Sequence, residues 1–209
     1  MINVDYVRQF FNDPAMHSGV WLQYLNGYVS MPNKAKDADK FASLDAWYHA
    51  LDVSRGYITK AELVEIMKWK LMRGKMRPLL GKIEALSDQE VQAATYHGIN
   101  SIRQAIDDNS IRAALDAIAK PLKGVGPATA SAILAKWNHS LPFMSDAGLL
   151  AVNGKLDYTV PSYLSYYHGI SAKVTQLSGD GQSKRQWTAK EVEAVLHIVY
   201  SRFDLKIPL

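Results

Sequence analysis

The residues that could do chemistry are a glycine-rich turn and a single aspartate that follows it. The turn covers 122–130 and reads Leu-Lys-Gly-Val-Gly-Pro-Ala-Thr-Ala. Glycine accepts positive φ angles and lets another backbone approach, and proline fits the first turn of a helix without losing a hydrogen bond. Apolar residues recur at helical spacing on both sides of the turn. The pattern therefore predicts helix, tight hairpin and helix over about 111–137, with the second helix beginning at about Pro127.

The turn is a candidate anion site. The start of a helix presents unpaired backbone N–H groups, which together with the helix dipole favour a phosphate group. Lys120 and Lys123 flank the turn, and no acidic residue occurs between Asp116 and Asp146. The alternative is an ordinary pair of helices in which the glycines only make the turn.

Asp146 is the candidate catalytic residue. A carboxylate beside the anomeric carbon of a sugar stabilises the positive charge that develops as a glycosidic bond breaks, and it can orient or deprotonate the attacking water. Asp146 also precedes a short apolar helix pattern over 147–152. Because aspartate is a favoured helix cap, the alternative role is a cap, and the two roles are compatible.

Together these residues resemble the helix-hairpin-helix of the base-excision DNA glycosylase superfamily, which includes endonuclease III and the adenine and alkylpurine glycosylases. That motif runs Leu-Pro-Gly-Val-Gly, two variable residues and Thr-Ala, and an aspartate opens the next helix. The resemblance implies catalysis by Asp146 and a monovalent cation held by carbonyl oxygens near Leu122 and Val125. It implies DNA contacts at Lys123, Gly124, Val125, Gly126, Ala128 and Thr129.

Three departures from the family pattern bear on the chemistry. Members that also cleave the DNA backbone carry a Schiff-base lysine where this chain has Ala128, so a lyase that uses this position is ruled out. Several members hold an iron–sulfur cluster on four cysteines, and this chain has no cysteine. Ala147 and Gly148 replace the threonine and histidine that often follow the aspartate. We therefore expect a monofunctional, cluster-free member, or one that has lost its chemistry.

A basic run covers 66–83, with six basic residues and no acidic one. The resemblance places this run against the minor groove of DNA, where a side chain near Arg73 would contact phosphate or wedge into the base stack. The implied DNA-binding residues of the run are Lys70, Arg73, Lys75 and Arg77. The alternative is a solvated basic face with Trp69 and Leu71 in the core.

Aromatic side chains give a weaker indication. Those that could stack on an extruded base are Trp21, Trp47, Tyr48, Tyr163, Tyr166 and Tyr167. At helical spacing, aromatic residues are far more often part of the core. The histidines are isolated in sequence, so no protein zinc site is expected.

Composition sets the broad class. The chain has 209 residues, 48% hydrophobic and 21% charged, and its net charge of +4 permits nucleic-acid binding without indicating it. Zero cysteines fit an intracellular protein, nuclear if the organism is eukaryotic. No apolar run reaches the length of a membrane span, and the N-terminus does not resemble a signal peptide. The expected partner is double-stranded DNA, damaged or mismatched, and the oligomeric state stays open.

The patterning is helical nearly throughout, which predicts an all-α fold. Three capping boxes predict helix starts: Thr59 with Glu62, Ser87 with Glu90, and Thr188 with Glu191. The segment 178–183 is predicted to be a flexible connection. The resemblance implies two lobes. One is a helical barrel over 59–154 that contains the hairpin, and in the other the N-terminal helices of 1–58 pack with 155–209.

Residues from about 59 to 150 also resemble a family of poorly characterised eukaryotic proteins with no assigned activity. The leading prediction is a DNA-binding hydrolase of base-excision repair, a monofunctional DNA glycosylase that removes a damaged or mismatched base. The alternative is a catalytically inactive helix-hairpin-helix module that binds DNA or RNA structure. The third interpretation is a helical interaction scaffold.

Overall fold

The computed structural model describes residues 4–27, 37–74 and 77–204, and this part of the chain is helical without a strand. The predicted all-α class is confirmed. The described helices, in chain order, are α1 (Val4–Asn12), α2 (Ser18–Asn26), α3 (Ala38–Ala50), α4 (Lys60–Met72), α5 (Leu80–Glu84), α6 (Asp88–Ser101), α7 (Asp108–Ala119), α8 (Pro127–Trp137), α9 (Asp146–Asn153), α10 (Val160–Gly179) and α11 (Ala189–Asp204).

Local sequence signals set the helix starts. The predicted capping boxes all form, at Thr59 with Glu62, Ser87 with Glu90, and Thr188 with Glu191. Each pairs a hydroxyl and a carboxylate with N–H groups that would otherwise lack a partner. Helix α7 has a fourth box, in which Asp107 accepts from the backbone of Ser110 at 2.8 Å. It was missed because the acid and the hydroxyl are exchanged between the two positions.

Helix α9 lies at the centre of the packing. It contacts α1, α10 and α11, and its residues 147–151 are buried. Helix α4 packs against α3, α5, α6 and α8, and α7 packs against α6, α8 and α10. Helices α1 and α2 also contact α11. The division into two lobes stays a prediction. For the site, the important point is that Asp146 is the first residue of the buried helix α9.

Most of the aromatic residues form the core. Trp21, Tyr48, Tyr163 and Tyr166 are buried, so the core alternative describes them correctly. Trp47 and Tyr167 are half-buried against the same core. Within the described ranges, no helix is long and apolar enough to cross a membrane.

The segment 178–183 differs from the prediction of a flexible connection. Helix α10 continues to Gly179, and the carboxylate of Asp180 accepts hydrogen bonds from the backbone and the hydroxyl of Ser18. These bonds tie the end of α10 to the start of α2. The glycine-rich sequence concealed this contact because its partner lies far away in the chain.

Candidate functional site

A cleft of about 140 Å³ brings the predicted chemical residues together. Its walls are the end of α4, the turn that leads into α8, the segment before α9, and Tyr158 in the loop after α9. The predicted site residues that line it are Lys70, Arg73, Arg77, Gly124, Gly126, Ala128, Thr129 and Asp146. Helix α8 begins at Pro127, as the pattern predicted.

Asp146 is the first residue of α9, but it does not cap this helix. Ser145 is the cap, and its hydroxyl accepts a hydrogen bond from the backbone N–H of Gly148 at 3.1 Å. The interpretation of Asp146 as only a cap is therefore wrong. With the capping position filled by serine, the carboxylate of Asp146 is left to line the cleft.

Tyr158 and Gly74 lie against the Asp146 carboxylate. The hydroxyl of Tyr158 donates a hydrogen bond of 2.6 Å to its Oδ1. Burial and this bond to a carboxylate raise the pKa of Tyr158, so the phenol stays a donor. On the other side, a Cβ atom added at Gly74 would lie 3.1 Å from Oδ2 of Asp146. The backbone at Gly74 thus passes directly beside the carboxylate.

Helix α10 fixes the segment that leads into Asp146. The hydroxyl of Tyr163 donates to the carbonyl of Pro142, and that of Tyr166 donates to the carbonyl of Phe143, both at 3.0 Å. The ring of Tyr166 also explains Gly148, because a Cβ atom there would lie 2.6 Å from Cε2 of Tyr166. A larger residue such as histidine does not fit at this position.

A hydrogen-bond relay connects the same segment to the first turn of α8. The backbone N–H of Met144 donates to the hydroxyl of Ser131 at 2.9 Å, and this hydroxyl donates to the carbonyl of Ala128 at 3.0 Å. Ser131 is completely buried. The relay fixes the start of α8 relative to the chain that carries Asp146.

The predicted hairpin is a tight turn. The N–H of Val125 donates to the carbonyl of Leu122 at 2.9 Å, and Gly124 has a φ of 93°. A Cβ atom at Gly124 would lie 2.8 Å from Cβ of Lys82, so this glycine is needed both for its backbone angle and for the approach of α5. Gly126 opens α8 without a side-chain cap.

The predicted hairpin ligands are not equally accessible. Lys123 is exposed, and Gly124 and Gly126 are half-buried. Val125, Ala128 and Thr129 are buried. The N–H of Thr129 already donates to the carbonyl of Gly126 at 2.9 Å. Gly124 and Gly126 are therefore more accessible to an anion in the cleft than the buried Thr129.

Arg73 differs from its prediction. Its side chain is buried, and it forms a 2.8 Å ion pair with Glu193, which is buried as well. The guanidinium also lies over the ring of Trp69, 4.8 Å from its centre. A phosphate contact or a wedge at Arg73 does not fit this placement, because its charge is already paired inside the protein.

The rest of the basic run divides between the cleft and the surface. Lys70 and Arg77 line the cleft, and the Arg77 guanidinium lies 4.9 Å from the centre of the Tyr158 ring. Lys68 instead pairs with Glu65 at 2.6 Å. Lys75 lies outside the described residues. Two of the four predicted contacts, Lys70 and Arg77, are thus placed beside Asp146.

Lys70 is half-buried near the end of α4. Burial lowers the pKa of its amine, Asp146 raises it, and Arg77 lowers it, with a lowered pKa as the net result. Lysine, arginine and aspartate therefore interact electrostatically within one cleft.

In the described part of the chain, no three histidine, aspartate or glutamate residues lie close enough together to hold a metal ion. The monovalent cation at the hairpin stays a prediction. The carbonyl of Leu122, one of its implied ligands, accepts the hydrogen bond that closes the turn.

Sequence reasoning missed Tyr158 and Gly74. Tyr158 lies in a loop, outside any helical periodicity, and it meets Asp146 only because the chain turns back after α9. Gly74 lies within the basic run, and the charged residues on either side of it were the ones assigned to DNA contacts. A glycine directly after a long helix is the one local signal that could have marked it.

Comparison with family models, curated proteins and solved structures found no match for this chain. The resemblance to DNA glycosylases therefore rests on the motif residues and their spacing.

Proposed function

We propose that this protein binds double-stranded DNA through a helix-hairpin-helix formed by α7, the turn and α8. In this proposal it acts as a monofunctional DNA glycosylase of base-excision repair, and Asp146 is its catalytic residue. The observation that supports the proposal best is that the Asp146 carboxylate and the uncapped start of α8 line the same cleft.

The charges around the cleft favour an anionic ligand. Lys70 and Arg77 line it, Lys123 is exposed in the turn, and the side chain of Lys82 packs against Gly124. Among the described lining residues, Asp146 is the only acid. Phosphates of a DNA backbone would neutralise the cations at the rim, and the start of α8 would add backbone donors.

The size of the cleft fits one ring system better than a drug-sized ligand. Pockets for drug-sized ligands have volumes of roughly 300–1,000 Å³. The volume of about 140 Å³ is well below this range. Such a cleft has room for one ring system of an extruded nucleotide, while the rest of the duplex binds outside it.

The proposed chemistry needs an anion held in a fixed position. As the bond between base and sugar breaks, positive charge spreads over the sugar, and the Asp146 carboxylate stabilises it. The hydrogen bond from Tyr158 holds the carboxylate, and the backbone at Gly74 passes beside it, so little reorganisation is needed. The same carboxylate orients the attacking water. Because Ala128 carries no amine, no Schiff base forms at that position.

The decisive experiment is single-turnover base release from duplexes that carry uracil, hypoxanthine, 8-oxoguanine or an alkylated purine. We expect release from at least one of them, and a loss of about a hundredfold or more in Asp146→Asn. Asp116→Asn is the matched control, because it removes a carboxylate from an ion pair with Lys120 on α7. Release that is equal in the wild type and in Asp146→Asn would overturn the catalytic assignment.

Binding is measured separately by titrating each duplex over a range of salt concentrations. Lys123→Gln and Arg77→Gln should each lower the slope of log K against log salt by about 0.9 if each contacts one phosphate. Lys68→Gln should leave this slope unchanged, because Lys68 pairs with Glu65. Salt-dependent binding without release on any lesion would identify an inactive DNA-binding module, and the absence of binding would overturn the whole proposal.

A further inference from the structure

Four basic side chains meet at the end of α8 that lies opposite the hairpin. They come from the last turn of α3, the end of α8, the segment after α8 and the first turn of α11: His49, Lys136, His139 and Lys190. We call these four residues the basic cluster. Helix α8 extends over roughly 16 Å, and none of the four residues lines the cleft of Asp146.

Hydrogen bonds bring the cluster together. The amine of Lys136 donates to the backbone carbonyl of His49 at 2.9 Å, and the backbone N–H of Lys190 donates to the carbonyl of His139 at 3.3 Å. His49 and Lys190 also line one cavity of about 20 Å³ between α3, α8 and α11. His139 is exposed and Lys190 is half-buried. Within the described ranges, the Lys190 amine and the His139 ring form no hydrogen bond or salt bridge.

Three acids face the cluster, and each of them already has a partner. The contacts are Asp45 with Trp69 and with His49, Glu191 with Thr188 and Arg185, and Glu193 with Arg73. Lys136 and Lys190, by contrast, form no salt bridge in the part of the chain that the structure describes. The cluster therefore presents positive charge that no described acid neutralises.

Lys190 occupies an unfavourable position for a cation. It is the second residue of α11, where the positive end of the helix dipole disfavours positive charge. His49 and Lys136 lie instead in the last turns of α3 and α8, where a cation is favoured. The helix dipoles thus explain two members of the cluster and leave Lys190 unexplained.

The members of the cluster also oppose one another's protonation. Burial and the charge of Lys190 lower the pKa of Lys136. Burial, Lys190 and Lys136 lower the pKa of His139. Burial lowers the pKa of His49 as well, Asp45 raises it, and neighbouring cations lower it further, with a lowered pKa as the net result. An anion bound between these groups would relieve the repulsion and favour the protonated rings.

We propose that the basic cluster binds a phosphate group through the amines of Lys136 and Lys190 and the rings of His49 and His139. A phosphate group offers several acceptor oxygens and about one to two negative charges, which match this set of donors. The cavity has room for roughly one water molecule, so the phosphate binds at its mouth. The site does not depend on the proposed DNA chemistry. Its ligand is a free phosphate or a phosphate of the DNA backbone, which share this chemistry.

Inorganic phosphate is the direct probe. It is added to the full chain near neutral pH, and the ring C–H signals of the histidines are followed by NMR, with sodium chloride at equal ionic strength as the reference. We expect saturable shifts at His49 and His139. His97 and His168 are exposed on other helices and should not shift. The absence of a shift at His49 and His139, or an equal shift in chloride, would overturn the site.

Lys190→Gln removes one charge of the cluster. Its amine bonds to no described residue and lies at the unfavourable end of α11, so the variant should fold as the wild type does. Phosphate binding should weaken by about tenfold or more, as expected for a lost charge-assisted hydrogen bond. Lys155→Gln is the matched control, at a lysine of the loop after α9 whose side chain is 72% exposed, and it should bind phosphate normally. Equal affinity in Lys190→Gln and the wild type would contradict the proposal.

Sulfate tests the part of the histidines, because it stays a dianion while they titrate. Its binding should tighten as the pH falls, and the pKa of His139 should rise in saturating sulfate, since the bound anion favours the protonated ring. An affinity that does not change while the rings titrate would remove the histidines from the site. Because this measurement uses the wild type, it does not depend on how any variant folds.

A short DNA duplex then identifies the source of the phosphate. A duplex that displaces inorganic phosphate from the cluster would show that the DNA backbone binds there. A duplex that leaves the phosphate signals of His49 and His139 unchanged would assign the site to a free phosphate. Base release from damaged duplexes is measured separately, so failure of the glycosylase proposal leaves this result intact.

Discussion

The hydroxyl of Tyr158 donates a 2.6 Å hydrogen bond to Oδ1 of Asp146, across the loop that separates α9 from α10. The tyrosine ring lies in turn beneath the guanidinium of Arg77. A loop residue therefore connects the proposed catalytic carboxylate with a cation of the cleft. If Asp146 acts as proposed, this connection gives the loop after α9 a positioning role that its sequence does not indicate.

Removing only this hydroxyl tests how much the carboxylate depends on it. Tyr158→Phe keeps the ring beneath Arg77 and deletes one hydrogen bond to a charged group, which contributes roughly 1.5–3 kcal/mol. We expect single-turnover base release to fall by about tenfold or more, with little change in DNA binding. Tyr57→Phe, at a tyrosine that packs under Arg55 away from the cleft, is the control. Unchanged release in Tyr158→Phe would make this bond irrelevant to turnover.

Gly74 provides a steric test of the same carboxylate. In Gly74→Ala the new methyl group would lie 3.1 Å from Oδ2 of Asp146, so the carboxylate has to move by a few tenths of an ångström. Since small displacements of reacting groups lower rates strongly, we expect base release to drop by about threefold to tenfold. Gly81→Ala, where nothing lies within 4 Å of the new methyl group, should release base at the wild-type rate.

Arg73 and Glu193 form a buried ion pair, so breaking it should affect stability rather than DNA affinity. Arg73→Met leaves the carboxylate of Glu193 buried and unpaired, which costs about 3–5 kcal/mol of unfolding free energy. Chemical denaturation measures this loss. The double variant with Glu193→Leu should recover most of it, because the charge that was left behind is gone.

The pair of Lys68 and Glu65, whose side chains are 39% and 35% exposed, is the reference for this experiment. Lys68→Met should cost less than about 1 kcal/mol, as the loss of an ion pair in contact with solvent generally does. The slope of DNA binding against salt should be the same for Arg73→Met as for the wild type, measured where both are folded. A lower slope for Arg73→Met would show that Arg73 contacts a phosphate, as the sequence predicted.

How far the sequence predicted this molecule depends on the distance over which each signal acts. The start of α8 at Pro127 and the capping boxes were predicted correctly, because a few adjacent residues decide them. The burial of Arg73 was not predicted, since its partner Glu193 lies 120 residues away in the sequence. Within the basic run, positive charge alone does not show that Arg73 is buried in an ion pair while Lys70 lines the cleft. That distinction requires the packing of α11 against the rest of the chain.

Gly148 is predicted to be intolerant of any side chain. In Gly148→Ala the added methyl group overlaps the ring of Tyr166, and overpacking of this kind costs about 1–3 kcal/mol. The melting temperature should fall by about 2–4 °C for each kcal/mol lost. Adding Tyr166→Leu should make the double variant more stable than the sum of the two single losses, because the leucine leaves room for the methyl group.

The control for this cycle is Gly179→Ala at the end of α10, where nothing lies within 4 Å of the new methyl group. It should melt close to the wild-type temperature. If Gly148→Ala were equally harmless, the ring of Tyr166 would have to move easily, and the contact would not explain the glycine.

The contact between Gly148 and Tyr166 also has an evolutionary consequence. The ring of Tyr166 fills the space that Gly148 leaves empty. In descendants of this chain, we therefore expect that neither residue is substituted without a compensating change in the other. A larger residue at 148 should be accompanied by a smaller one at 166, and the two positions should covary. This coupled pair, eighteen residues apart and on two different helices, would identify relatives whose glycine-rich turn has diverged beyond recognition.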